Sequence, residues 1–150
     1  MKIVLIDGQG GRIGSLLAAR IRKEAFPDLE LIAVGTNAAA TAAMLRAGAD
    51  AGATGENPVV VACRDADFIL GPIGILSADS LLGEVTPAMA VAVGQSRAQK
   101  ILLPVNRCSN HVVGVPELSL SELADRAVDC LRELLDGRTD GRRTQPLQSC

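Results

Sequence analysis

The chain has 150 residues and a mass of 15.5 kDa, one domain's worth of sequence with enough length to bury a core. Apolar residues at 48% and charged residues at 21% sit near the globular average and argue against disorder of the whole chain. A net charge of −2, two Phe (Phe26 and Phe68) and no Trp or Tyr argue against a nucleic-acid partner, and no apolar run approaches the roughly 20 residues that span a bilayer.

Residues 2–7, KIVLID, form a short apolar run that ends in glycines, the pattern of a strand buried on both faces. Ile13, Leu16, Leu17, Ile21 and Ala25 then recur at helical spacing, and Pro27 closes that helix. Residues 29–35, LELIAVG, read as a second buried strand. The Ala-rich stretch 38–47 is a good helix former with Gly48 as its stop. Residues 49–57 are small and Gly-rich and read as a loop. Asn57-Pro58 has the look of a cap and first helical position, so a short helix is expected through about Arg64, although VVVAC (59–63) also suits a strand.

A strand at 67–70 is expected to end at Gly71-Pro72. The polar-edged stretch 77–87 reads as a loop or lid whose reactive-looking members, Ser77, Asp79 and Glu84, are ordinary turn formers as well. Thr86 precedes a helix from Pro87 to Val93. Residues 100–105, KILLPV, read as a strand weakened by Pro104, and 111–115, HVVGV, as a short final one. Ser119 and Glu122 form a capping box ahead of Leu120, Leu123, Ala124, Ala127, Val128, Leu131, Leu134 and Leu135, with Gly137 as the stop. Residues 137–150 have little apolar content and read as a mobile tail, leaving 1–136 as the domain.

Strands alternating with helices specify an α/β fold: a single Rossmann-like, doubly wound and mainly parallel sheet with residues 2–7 near its centre. Ligands of such sheets bind outside the carboxyl ends of the strands. That rule selects Gly8, Gln9, Gly10, Gly11, Arg12, Ile13 and Gly14 after the first strand. It also selects Thr36 and Asn37 after the second, Gly71, Pro72, Ile73 and Gly74 after the third main strand, and Asn106 and Arg107 after the next. Glycines between a strand and a helix let main-chain N–H groups meet a phosphate, so the first loop is expected to hold an anion and a Gly11→Asp change to abolish binding with the fold intact. The competing reading is a tight turn that holds nothing. Arg107 can pair bidentately with a phosphate or carboxylate, Thr36 and Asn37 can bond a ribose or phosphate, and Asn37 can equally cap the next helix.

Two features resist a standard dinucleotide site. Asp7 directly precedes the loop and would repel a pyrophosphate unless it turns away or holds a cation or hydroxyl. The second strand ends in Gly35-Thr36-Asn37, with no carboxylate for a ribose diol and no nearby arginine for a 2′-phosphate. NAD and NADP therefore both stay open. Charge is segregated too. Residues 1–48 carry six bases against four acids and 85–115 carry Arg97, Lys100 and Arg107 and no acid, whereas 49–84 set Arg64 against six acids, so an anionic small molecule finds the first two of these stretches the friendlier.

The four cysteines, Cys63, Cys108, Cys130 and Cys150, include no C-x-x-C pair, and His111 is the one histidine, so no structural metal is expected. Cys108 and His111 are weaker candidates for a nucleophile and a base. The opening residues lack a cleavable signal, which makes reduced thiols and a cytoplasmic location the expectation.

The loop GQGGRIG (8–14) resembles that of dihydrodipicolinate-reductase-type NAD(P) enzymes, G-x-x-G-R-M-G, over about the first 37 residues. The resemblance implies a dinucleotide domain in which Arg12 approaches the cofactor. Over about residues 1–135, IDGQGGRIG (6–14), GTN (35–37), MLRAGADAGATGENP (44–58), GPIGI (71–75), LLGEVTPAMA (81–90), KILLPVNRC (100–108) and VVGV (112–115) together resemble one small bacterial family known only as a domain of unknown function. These readings give a nucleotide or dinucleotide binder with a possible oxidoreductase role, or a non-catalytic sensing or regulatory module using the same pocket. A homodimer is the commonest closed assembly for such a domain.

Overall fold

The computed structural model describes residues 1–105 and 111–139. In chain order these residues form β1 (Lys2–Asp7), α1 (Arg12–Lys23), β2 (Glu30–Gly35), α2 (Ala38–Arg46), β3 (Ala51–Thr54), α3 (Glu56–Ala62) and β4 (Phe68–Pro72). A 3-10 turn (Ile73–Leu76), the single turn α4 (Ser80–Gly83), α5 (Pro87–Gln95), β5 (Gln99–Leu103) and α6 (Leu120–Thr139) follow. The sheet has the order β3-β2-β1-β4-β5, and every pairing is parallel. The expected doubly wound α/β architecture is present, with β1 at its centre. Winding proceeds outward from β1 in both directions, so the β1/β4 boundary is the switch point, where a crevice opens at the carboxyl ends.

β1 explains its own composition. Ile3 and Leu5 face one core with Leu17, Ala18 and Ile21 of α1, Met44 of α2 and Ala124, Ala127, Val128 and Leu131 of α6. Val4 and Ile6 face the other, with Val59 and Ala62 of α3 and Met89, Ala90 and Val93 of α5. A strand covered on both sides has no polar face, hence the unbroken apolar run.

The helix starts follow local chemistry. The Asn37 side chain accepts the Ala40 N–H at 2.9 Å and caps α2. Thr86 accepts the Met89 N–H at 3.2 Å ahead of Pro87. At α6, Ser119 Oγ accepts the Glu122 N–H at 3.2 Å while Glu122 accepts the Ser119 N–H at 2.9 Å, the expected reciprocal box. α1 is different: Gly11 precedes it in the left-handed region (φ 67) and offers no side-chain cap.

Several boundaries differ from the sequence reading. Residues 51–54, expected in a loop, form the edge strand β3 beside β2; Ala-Gly-Ala-Thr lacks an apolar alternation because this edge is exposed. Residues 59–62 are helical, and α3 begins at Glu56, so Asn57 and Pro58 lie inside it rather than capping it. β5 stops at Leu103, before Pro104. Residues 111–115 form no strand, only a turn around Gly114 (φ 83). α6 passes Gly137 and ends at Thr139, because a single glycine does not outweigh the turns already formed. The rest of the expected tail, 140–150, lies outside the described residues. Among the described residues, no helix is long and apolar enough to cross a membrane.

Candidate functional site

Asp7 closes β1 and is 4% exposed. Its carboxylate turns back into the first loop, where Oδ1 accepts the Gly8 N–H at 2.8 Å and Oδ2 the Gly14 N–H at 2.7 Å. It thereby supplies from the preceding strand the acceptor that Gly11 cannot supply to α1. Burial pushes its pKa above the ordinary carboxylate value and the nearby Glu84 charge adds to this; the N–H groups of Gly14, Gly8 and Ile13 oppose the rise without cancelling it.

The loop is built around a turn in which the Gly11 N–H donates to the Gly8 carbonyl at 2.9 Å. Its left-handed residues are Gln9 (φ 49) and Gly11, not Gly8 or Gly10. The glycines divide by role. A Cβ on Gly11 would lie 2.7 Å from Ala40 Cα, and one on Gly14 would collide with Met44 Sδ and lie 3.0 Å from Asp7 Cβ. Both positions are small so that α1 can pack against α2 and β1, and a Gly11→Asp change therefore would not leave the fold intact. Gly10 has nothing within 4 Å of where a Cβ would stand and faces open space.

Glu84 lies on the other flank of the loop. Its Oε2 accepts the Gln9 N–H at 2.8 Å, the Thr36 hydroxyl at 2.5 Å and the Asn37 side-chain N–H at 2.9 Å. Burial raises its pKa, but these three donors outweigh burial and the net shift is downward. A Cβ on Gly8 would meet Thr36 Oγ1 at 2.6 Å, Glu84 Oε2 at 2.7 Å and Leu81 Cδ1 at 2.8 Å. The space that Gly8 leaves is thus filled by Thr36 and by the protein's own segment after β4.

The expected row of open amides is mostly taken. Asp7, Glu84 and the Gly8 carbonyl use the N–H groups of Gly8, Gln9, Gly11 and Gly14, and Asp7 also draws on Ile13. Among the described residues none accepts from Gly10 or Arg12, and none pairs with the exposed Arg12 guanidinium. Beside these open donors lies a cleft of about 400 Å³ lined by Asp7, Gly8, Gln9, Gly10, Arg12, Ile13, Pro72, Gly74, Leu81, Val105 and Leu120. Its size is that of a small-molecule site.

The remaining candidates divide. Thr36 and Asn37 point to Glu84 and not into the cleft. Gly71 serves strand packing, since a Cβ there would collide with the Ile6 carbonyl oxygen. Ile73 is half-buried in the 3-10 turn and does not line the cleft. His111 is exposed. Asn106, Arg107 and Cys108 lie outside the described residues. Leu81, Val105 and Leu120 belong to the cleft but were not among the expected site residues, because their membership depends on how the chain returns to the sheet.

A family model covers residues 2–136, nearly the whole chain. The chain belongs to the family described as Domain of unknown function (DUF3842). The DUF3842 match spans both flanks of the cleft. A search of curated proteins finds no match. Among solved structures the DUF3842 chain is similar to the dodecameric FMN-dependent UbiX-like decarboxylase of Escherichia coli O157:H7, with 14% identity, a TM-score of 0.43 and coverage of 88% of this chain and 95% of that one.

Proposed function

We propose that the protein binds a nucleotide-class small molecule in the cleft at the carboxyl ends of β1, β4 and β5, with a phosphate on the outer side of the glycine loop. The observation that carries this is the combination of the 400 Å³ cleft with three open donors at its mouth, the N–H groups of Gly10 and Arg12 and the Arg12 guanidinium. A guanidinium beside main-chain N–H groups is a good match for a phosphate oxygen pair. The inner amides cannot take part while Asp7 holds them. The geometry therefore favours one phosphate over a pyrophosphate buried in the loop.

NAD or NADP would also have to place an adenosine half over Thr36 and Asn37, where Glu84 lies. A mononucleotide, or the nicotinamide half of a dinucleotide, matches the cleft better. A non-catalytic binding or sensing role is favoured over hydride transfer by Asp7: both oxygens of this carboxylate, the one that lines the cleft among the described residues, are tied to main-chain N–H groups. An oxidoreductase role is the competing reading, since a nicotinamide carries its own hydride and asks the protein only for orientation.

Thermal denaturation with AMP, ATP, NAD, NADH, NADP, NADPH and S-adenosylmethionine tests the proposal. A ligand at 100 times its Kd adds about 2.7 kcal/mol of stability. Arg12→Ala, at an exposed first-turn position, is expected to remove that gain without changing the unliganded midpoint. No stabilisation by any of these compounds would end the nucleotide reading. Binding without hydride transfer to a panel of carbonyl compounds would select the sensing role.

A further inference from the structure

Three donors from two separate elements converge on a single oxygen of Glu84. They are the Gln9 N–H of the first loop, the Thr36 hydroxyl and the Asn37 side-chain N–H, the last two directly after β2. Gln9 adopts a left-handed conformation (φ 49) in the turn that presents its N–H to Glu84. Gly8 leaves the space into which the carboxylate fits, within 2.7 Å of where a Cβ would stand. Such a set of donors is a receptor for an oxyanion at the carboxyl ends of β1 and β2, and the protein fills it with a side chain of its own.

The segment that delivers Glu84 is held in an unfavourable shape. Asp79 (φ 63), Leu81 (φ 54) and Leu82 (φ 60) are all left-handed, although none is glycine. Left-handed backbone is strained for any residue that carries a Cβ. Leu82 gains no burial in return, being 97% exposed. The segment is fastened at Glu84, at the Ser80 hydroxyl, which donates to the Gly74 carbonyl at 2.6 Å, and at the buried Val85.

We propose that Gln9, Thr36 and Asn37 form a second anion site, that Glu84 is its resident internal occupant, and that a phosphate-bearing ligand enters by displacing Glu84 and releasing residues 79–84. The proposal rests on the nucleotide reading for its ligand class only. It explains how a ligand larger than the open cleft is admitted: the crevice over Thr36 and Asn37 becomes available when Glu84 leaves. Affinity in the wild type is then reduced by the fraction of molecules in which the site is free.

The test uses the full chain and ATP, whose further phosphates reach past the outer position at Gly10 and Arg12, with AMP as the one-phosphate control. Calorimetry on the wild type, Glu84→Ala and Glu84→Gln is expected to show ATP binding at least about tenfold tighter in both variants, with no such gain for AMP. Hydrogen exchange on the wild type, which needs no variant, is expected to show faster exchange across residues 79–85 when ATP saturates. Equal or weaker ATP affinity in both variants overturns this proposal, as does exchange across 79–85 that is unchanged or slowed by ATP. If the wild type binds ATP and either of those results is found, the displacement idea falls and the nucleotide reading stands. If the wild type and both variants fail to bind ATP, the second site falls directly, and the nucleotide reading is then judged by the other ligands of the thermal series.

Discussion

At the scale of single residues, Asp7 and Glu84 decide how much of the glycine loop is left for a ligand. Removing the Asp7 carboxylate leaves the buried Gly8 and Gly14 N–H groups without an acceptor. Asp7→Ala is expected to lower stability by about 1–3 kcal/mol for the unsatisfied groups, read as a lower midpoint in urea with an unchanged slope. The pH dependence has a definite sign. Burial holds the Asp7 pKa above 3.8 in the folded protein, so the folded state binds this proton more tightly than the unfolded chain does. Its contribution is fully present below 3.8 and is lost as pH rises through the folded-state pKa. Stability measured against pH should therefore carry a component that falls on the alkaline side of 3.8 and is missing in Asp7→Asn; identical profiles for the two proteins would count against a buried, titrating Asp7. The conflict at this position was legible in the sequence, because a carboxylate next to a phosphate loop demands an explanation. Its resolution was not: the carboxylate turns inward to Gly14, seven residues on, which only the folded loop makes a neighbour.

At the scale of elements, the glycines separate packing from binding. A methyl on Gly71 would run into the Ile6 carbonyl oxygen, part of the central strand, whereas one on Gly14 meets chiefly the flexible end of Met44. Backbone cannot step aside and a methionine can. Gly71→Ala is expected to cost more than Gly14→Ala, and Gly10→Ala to leave stability within about 0.5 kcal/mol of wild type; chemical denaturation of the three variants checks the ranking. The same comparison shows why the sequence misassigned β3. Its residues, Ala51 to Thr54, bring no apolar face and join the sheet through main-chain pairing to Ile32–Gly35. Residues 111–115 err in the opposite direction. Val112, Val113 and Val115 have strand-like side chains but pair with no strand among the described residues, and Val113 is 96% exposed.

At the scale of the molecule, the doubly wound parallel sheet with β1 at its centre follows from the alternation of elements and the right-handed crossover rule and was readable in advance. Which side chains meet across the crevice was not. Glu84 lies 48 residues from Thr36 in sequence, and its carboxylate reaches the end of β2 from the segment after β4. Stability should be graded across the sheet in the same way. β1 is flanked by β2 and β4 and covered on both faces, whereas β3 has one neighbour and exposed residues throughout. Amide exchange is expected to be slowest at Val4–Ile6 and fastest, among the strands, at Ala51–Thr54. Exchange at β3 as slow as at β1 would mean that its outer edge is covered in solution, as by a second copy of the chain.

Cys63 gives this layered arrangement a practical use. The thiol is 3% exposed behind α3, and desolvation, only partly offset by Lys100, pushes its pKa up to about 11. A thiolate-seeking reagent is therefore shut out twice, by access and by ionisation. Cys63 lies at the end of α3, in the seam that α3 makes with α5, so the rate of alkylation at its sulfur is a clock for the opening of that seam. Cys130, out on the surface of α6, serves in the same sample as the marker that reagent is present.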